Sequence, residues 1–201
     1  MSPRGEKLNQ QMRKEAITKI TKAALEVFAQ YGYHGTTMNH IMKASGLSQG
    51  LVYYYFSSKK KVFFHLVECA LKVSKNIWME ALNLPGTAWQ KIERLSENLV
   101  KNAFTYENSL YYLIMLQAYT QGASIPGLSQ YIMKHTAHYD LLPPLVSEAQ
   151  KSGEAAQGDP EVLVSSYCAI FLGYTLILFL EKDLKKKITP ETFTSVLRKK
   201  G

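Results

Sequence analysis

The sequence predicts an all-α protein of about nine helices, and three observations support this fold class. Several segments repeat apolar residues at three- and four-residue spacing, which is the period of an amphipathic helix. Short polar residues and prolines stand where these segments begin, and glycines stand where some of them end. No segment alternates apolar and polar residues over more than a few positions, so no strand is predicted. With 201 residues, 46% of them hydrophobic, the chain is able to bury its own core.

The first helix is predicted to run for about five turns and to end at Gly32. Its apolar residues lie three or four positions apart: Ile17, Ile20, Ala24, Val27, Phe28 and Tyr31. The segment before it is basic and carries Arg4, Lys7, Arg13 and Lys14. Two interpretations of this segment stay open: a disordered tail, or an arm that reaches into the minor groove of DNA.

The next three helices are predicted from their capping residues. Thr36 or Thr37 caps a short second helix, and residues 45–47 form a tight turn that contains a glycine. Ser48 caps a third helix that ends near residue 54, and Lys59 opens a long helix with one apolar face. Two short helices joined by such a turn have the outline of a helix-turn-helix.

Further helices are predicted in the middle of the chain from the same kinds of residue. One begins near Thr87 and another spans about residues 108–120. Pro126 opens the next, which Pro143 and Pro144 should interrupt or kink, because proline inside a helix removes a hydrogen bond and clashes with the preceding turn.

The last two helices begin with a capping residue followed by proline, at residues 159–160 and 189–190. The first of them contains 19 consecutive uncharged residues, 162–180. That length reaches the threshold for a membrane-spanning helix, and a single-pass membrane-anchored helical protein is therefore an alternative interpretation. A helix with one face in its own domain and the other against a partner subunit gives the same pattern.

Positive charge is concentrated in the N-terminal third of the chain. The formal net charge is +8, and residues 1–65 contribute 10 basic against 3 acidic residues, a net of +7. Residues 66–201 contribute 14 against 13, a net of +1. No acid occurs in the 41 residues between Glu26 and Glu68. A basic face of this kind favours a polyanionic partner, either nucleic acid or an anionic membrane surface.

Catalytic and metal-binding motifs are not found in the sequence. It has no phosphate-binding glycine loop and no nucleophile elbow, so we expect no enzyme and no cofactor. His135 and His138 are three residues apart, but surface histidines explain them better than a metal site. Cys69 and Cys168 follow no metal or redox spacing and are interpreted as reduced thiols. Since the first 15 residues also lack the apolar stretch of a signal peptide, we expect a cytoplasmic protein.

The helix-turn-helix segment carries a resemblance to a known family. The matching residues are Gly32, Tyr33, His34, Gly35, Thr36, Thr37, Ile41, Ala44, Ser45, Gly46, Leu47, Ser48, Gly50, Val52, Tyr53, Tyr54, Tyr55, Phe56 and Lys59. This pattern resembles the DNA-binding signature of TetR-family transcriptional regulators. It implies a helix-turn-helix DNA-binding domain at residues 1–65 and an effector-binding and dimerisation domain at residues 66–201. It also implies a homodimer, typically a repressor, that binds a palindromic operator and is released by a small molecule.

The resemblance and the chemistry of the segment together select the candidate DNA-binding residues. They are Thr36, Thr37, Lys43, Ser48, Gln49, Gly50, Tyr53, Tyr54, Tyr55 and Lys59. Gln49 is able to pair bidentately with adenine, and Gly50 lets the helix backbone come close to DNA. Lys59 offers a point charge to a phosphate, whereas Tyr55 either contacts DNA or packs in the core.

The C-terminal candidates depend more on the resemblance than on the residues. Phenolic and apolar side chains would suit a lipophilic or aromatic effector, although the same residues could form an ordinary bundle core: Trp78, Phe104, Tyr111, Tyr112, Met115, Tyr119 and His138. In the family, the last two helices of two subunits form the dimer interface. One stripe of the helix over residues 162–180 is the candidate for it: Ser166, Ile170, Gly173 and Ile177.

Overall fold

The computed structural model describes residues 3–103, 105–180 and 188–199. Within these ranges the chain forms ten α-helices and no strand, and nine of the helices have seven residues or more. The predicted all-α class with about nine helices is confirmed. The helices are α1 (Pro3–Gly35), α2 (Met38–Ser45), α3 (Gln49–Tyr55), α4 (Lys59–Leu82), α5 (Ala88–Asn98), α6 (Tyr106–Gln121), α7 (Leu128–His135), α8 (Leu142–Lys151), α9 (Pro160–Leu180) and α10 (Pro190–Thr194).

Helix α1 differs from its prediction at its N-terminal end. It begins at Pro3, and residues 5–15 form exposed helical turns, so the disordered tail is wrong for this segment. Contact of this segment with the minor groove of DNA stays a prediction. The predicted stop at Gly32 is confirmed, because this residue adopts φ 66° and ψ 176° and interrupts the helix. A further short turn then leads to Gly35.

The prolines of the middle region begin a helix instead of breaking one. Helix α7 ends at His135, a 3-10 turn spans Ala137–Leu141, and Pro143 and Pro144 occupy the first turn of α8. Proline is tolerated there because the first N–H groups of a helix have no partner within the helix. The prediction that this pair interrupts or kinks a helix is therefore wrong. At the start of α9, by contrast, the predicted cap is confirmed, since Asp159 Oδ1 accepts a hydrogen bond from Glu161 N at 2.8 Å.

The buried apolar side chains form two cores that share α4. The first core joins α1, α2 and α3 to the N-terminal half of α4 and to α6 and α7. The second core joins the C-terminal half of α4 to α5, α8, α9 and α10. The division at residue 65 stays a prediction, and the packing adds that α6 and α7 share a core with the helix-turn-helix.

Helix α6 holds α1 by a polar contact as well as by packing. The Gln117 side chain donates a hydrogen bond from Nε2 to the backbone carbonyl of Phe28 at 2.9 Å. Phe28 lies fully buried near the end of α1, four residues before Gly32. The helix-turn-helix is therefore positioned by α6 through α1, and by α4 directly.

Candidate DNA-binding surface and effector cavity

Helices α2 and α3 form a helix-turn-helix whose two N-termini are capped by side chains. Thr37 Oγ1 accepts a hydrogen bond from His40 N at 3.2 Å, and Ser48 Oγ accepts one from Leu51 N at 3.4 Å. Gly46 ends α2 in the left-handed conformation, with φ 65°. Such a conformation costs a glycine little and other residues more, so the turn between the helices depends on this residue.

The face of α3 that points away from the core is polar, aromatic and uncovered. Val52 is fully buried beneath it, whereas Gln49 and Gly50 are exposed, and Tyr53 and Tyr54 are 41% and 80% exposed. Tyrosine rings usually bury most of their surface, because the ring is apolar. Two exposed tyrosines beside an exposed glutamine therefore mark a surface that suits contact with a partner.

No packing contact among the described residues of the protein requires a glycine at position 50. It lies in the first turn of α3, is exposed, and a Cβ atom built on it would meet no atom within 4 Å. Glycine in a helix costs about 1 kcal/mol relative to alanine. No packing contact in the described part of the protein offsets this cost. A glycine of this kind is expected where a partner must approach the helix backbone closely.

A cavity of about 220 Å³ lies where the two cores meet. The first core contributes Ala70, Leu71 and Met115 to its walls, and the second core contributes Trp78 and Phe171. None of the described residues that line it is charged. A ligand in this cavity would therefore contact both cores at once, and an uncharged ligand would lose the least solvation on entering.

Two phenol groups of the cavity are hydrogen-bonded to serine hydroxyls. Tyr139 Oη lies 3.0 Å from Ser74 Oγ. Ser96 Oγ donates to the Ile92 carbonyl at 3.0 Å, so at 2.8 Å it must accept its second bond from Tyr167 Oη. Burial raises the pKa of Tyr111 to about 12. This phenol is therefore neutral at physiological pH and able to donate a hydrogen bond.

Comparison with known proteins assigns the N-terminal part of the chain. Residues 20–66, which contain the helix-turn-helix, match the model of the bacterial regulatory proteins of the tetR family. The helix-turn-helix segment is therefore of the TetR-family type. Over 61 residues it is 36% identical to the biofilm operon icaADBC HTH-type negative transcriptional regulator IcaR of Staphylococcus aureus. This match covers 30% of the chain and 33% of IcaR.

Two further kinds of relative extend the comparison beyond the helix-turn-helix. The HTH-type transcriptional regulator YezE of Bacillus subtilis is 26% identical over 117 residues, which cover 58% of this chain and 60% of YezE. The fold is similar to that of a Saccharomonospora viridis protein in complex with choline, with a TM-score of 0.71, 18% identity and 93% and 100% of the two chains covered. It is also similar to a TetR-family regulator from Streptomyces coelicolor, with a TM-score of 0.69, 19% identity and 90% and 91% covered.

Lys59 has a different role from the one expected of this TetR-family position. Its Nζ donates hydrogen bonds to three carbonyl oxygens at the end of α1: Tyr33 O at 2.8 Å, His34 O at 3.1 Å and Thr36 O at 2.9 Å. It also lies 4.8 Å from the centroid of the Tyr33 ring. An ammonium group has three donors, and all three are used here. Lys59 therefore closes the C-terminal end of α1, and its predicted role as a phosphate contact is corrected.

Thr36 is also removed from the DNA-facing set. Its side chain is fully buried, and its hydroxyl donates to the Gly32 carbonyl at 2.7 Å. The residue thus completes the end of α1, and Thr37 alone caps α2. Tyr55 is half-buried and packs against the first core, and its ring centroid lies 5.0 Å from that of Tyr54 in an edge-to-face arrangement. The core interpretation of Tyr55 is therefore the better one, while Lys43 lies exposed at the end of α2.

The cavity contains most of the predicted effector residues and several that the sequence did not suggest. Trp78, Tyr111, Tyr112, Met115 and Tyr119 all line it. Phe104 and the side chain of His138 lie outside the described part of the structure. The lining residues that sequence analysis missed are Ala70, Leu71, Val73, Ser74, Leu99, Tyr139, Tyr167, Cys168, Phe171 and Leu172. Helical periodicity could have placed Tyr167 and Phe171 on one face of α9, but it contains no signal for a cavity.

The predicted interface stripe on α9 is divided between two environments. Gly173 and Ile177 are exposed, whereas Ser166 is half-buried and the half-buried Ile170 packs against the second core. The uncovered apolar face also includes side chains that the prediction left out: Val162, Leu172 and Leu176. Residues 160–177 meet the length and composition of a membrane-spanning helix, although α9 packs one side against α6, α8 and α10.

Proposed function

We propose that this protein is a transcriptional regulator, acting as a repressor in the cytoplasm, that binds a palindromic DNA operator as a homodimer. A small, uncharged, lipophilic or aromatic effector binds in the cavity between the two cores and weakens operator binding. The protein performs no chemical reaction in this scheme. The observation that carries the proposal is the uncovered face of α3, with Gly50 at its centre.

The DNA-binding part of the proposal is supported by the composition of the exposed face. Ser48 and Gln49 stand at the N-terminal end of α3, which in a helix-turn-helix contacts base edges in the major groove. Tyr53 and Tyr54 expose phenol groups that are able to donate to phosphates, and Lys43 adds positive charge. The 41 residues without an acid keep repulsion of the phosphate backbone low.

The effector part is supported by the chemistry of the cavity. The described lining residues are apolar, aromatic or neutral and polar, so a charged ligand would find no counter-charge there. Phenol groups such as Tyr111 supply hydrogen-bond donors that fix the orientation of a ligand. The choline complex of a protein with the same fold indicates that the fold is able to hold a small molecule.

The homodimer part is supported by the exposed face of α9. Leu172 and Leu176 are 52% and 47% exposed, and Gly173 between them is open. Apolar residues that recur at three- and four-residue steps on one helix face form the usual surface for a partner helix. A second copy that buries this face explains it without a membrane. If the protein instead pelleted with membranes and required detergent for extraction, the membrane-anchored alternative would replace the dimer.

The proposal is tested by replacing Gly50 with alanine. Gly50→Ala should raise the free energy of unfolding by up to about 1 kcal/mol, because alanine favours the helix and the added methyl group meets no atom in the free protein. The same change should weaken binding to a selected operator at least about tenfold, which is 1.4 kcal/mol, if the α3 backbone lies against DNA.

Gly5→Ala is the matched control for this experiment. Gly5 is also an exposed glycine within a helix, and a Cβ atom there meets nothing within 4 Å. The control should gain stability and keep its affinity for DNA. Equal affinity of wild type and Gly50→Ala would show that DNA does not approach the α3 backbone, and the proposal would lose its main support.

A further inference from the structure

A chain of polar side chains connects the cavity to the helix-turn-helix. Tyr111 on α6 lines the cavity and donates a hydrogen bond to the Cys69 thiol on α4, a thiol whose pKa burial raises. Cys69 Sγ is 3.7 Å from His65 Nε2, one turn earlier on α4. His65 Nε2 is in turn 3.0 Å from Thr21 Oγ1 on α1.

The hydrogen-bond directions in this chain follow from the available protons. The Thr21 hydroxyl donates its proton to the Ile17 carbonyl at 2.8 Å, so towards His65 it can only accept. The proton of the neutral His65 ring therefore lies on Nε2. Both Thr21 and Cys69 face this one N–H group, and Thr21 is the nearer acceptor.

His65 also contacts the end of the recognition helix. Its ring centroid lies 5.2 Å from that of Phe56, the C-terminal capping residue of α3. On another side the ring borders an open cleft of about 600 Å³ between α4 and the start of α7, so packing does not enclose it completely. The His65 side chain therefore contacts α1 and the end of α3 directly. Cys69 and Tyr111 connect it to the wall of the cavity.

We propose that His65 is the positioning residue that transmits occupation of the cavity to the helix-turn-helix, an inference that rests on the proposed function. A ligand that accepts the hydrogen bond of Tyr111 withdraws this phenol from Cys69. The Cys69 sulfur then becomes free to accept the His65 N–H group in competition with Thr21. The contact between α4 and α1 loosens, and Phe56 moves with the His65 ring.

A ligand-free double-mutant cycle tests this relay in the full-length chain. Tyr111→Phe removes the phenol and imitates the bound state, so it should weaken binding to a selected operator about fivefold or more, the lower end of typical couplings between sites. In the His65→Leu background the same change should have less than about a twofold effect. His65→Gln keeps an N–H donor and should restore part of the response to Tyr111→Phe.

A spectroscopic measurement separates the relay from simple loss of packing. The imidazole ¹⁵N resonances of His65 should report an Nε2-protonated ring in the wild type and should shift in Tyr111→Phe. Tyr131→Phe is the matched control, because Tyr131 packs on Phe64 and His135 in the first core and is not part of the chain. This control should leave both the His65 resonances and the operator affinity unchanged.

The outcomes distinguish the relay from the function on which it rests. A Tyr111→Phe effect that persists in His65→Leu, or that Tyr131→Phe reproduces, overturns the relay while the regulator remains. Unchanged His65 resonances in Tyr111→Phe overturn it as well. A wild-type protein that selects no DNA sequence overturns the proposed function and the relay with it.

Discussion

Lys59 offers the sharpest stability prediction, because the structure replaces the role that its position suggested. Lys59→Met keeps most of the aliphatic side chain and removes the ammonium group with its bonds to Tyr33 O, His34 O and Thr36 O. Hydrogen bonds from charged donors contribute about 1.5–3 kcal/mol each when buried, and much less when water can replace them. These carbonyls are only partly buried, so we expect a total loss of about 2 kcal/mol, including the interaction with the helix dipole.

The assay is urea unfolding of wild type and variant at one fixed protein concentration, since dimerisation couples stability to concentration. Lys61→Met is the control: this lysine is exposed on the same turn of α4 and should change the free energy of unfolding by less than about 0.5 kcal/mol. The logarithmic salt dependence of DNA binding should stay the same in Lys59→Met. If stability were unchanged and the slope fell by about 0.9, Lys59 would be a phosphate contact and the structural argument would be wrong.

Three further predictions address the other parts of the account. Gln49→Ala should relax sequence preference at one base pair by about 1–3 kcal/mol in a binding assay over operator variants, whereas a uniform loss over all variants would assign Gln49 to the DNA backbone. Gly173→Glu should convert the dimer to monomers in sedimentation at micromolar concentration, because a buried unpaired carboxylate costs several kcal/mol. The control Gly5→Glu should stay dimeric. A Gly173→Glu protein that stays dimeric would show that the interface lies on another face. Burial lowers the pKa of His65 and Glu68 opposes this effect, so the folded state binds a proton at His65 less readily than the unfolded state does. The contribution of His65 to the free energy of unfolding should therefore be fully present above pH 6.5 and should decline as the pH falls below it. This decline should be smaller in His65→Gln.

The elements near the N-terminus could be predicted from the sequence because their signals are local. Thr37, Ser48 and Gly46 act on their own helix ends, so the type of each residue and its spacing were sufficient to place α2 and α3. The same holds for Asp159 before α9. Pro143 and Pro144 were misjudged because the end of α7, which decides whether a proline breaks or begins a helix, carries no strong stop signal.

The parts that could not be predicted depend on contacts between distant residues. Lys59 bonds to carbonyls 23 to 26 residues away, and a lysine at a helix start carries no sign of whether it faces a phosphate or a helix end. The cavity likewise needs Ser74 and Tyr139, which are 65 residues apart, to come within 3.0 Å. Five predicted aromatic and apolar residues lie on its wall, but their periodicity alone would describe a filled core equally well.

Selection of DNA from a random pool by the full-length protein tests the central claim most directly. The account predicts enrichment of one sequence with two-fold symmetry. Its half-sites should be centred about 34–36 Å apart, or a multiple of this, so that two α3 helices are able to enter successive major grooves. A pool that shows no enriched sequence after selection, or binding that is equal for all sequences, would contradict the assignment of α3 as a helix that recognises an operator.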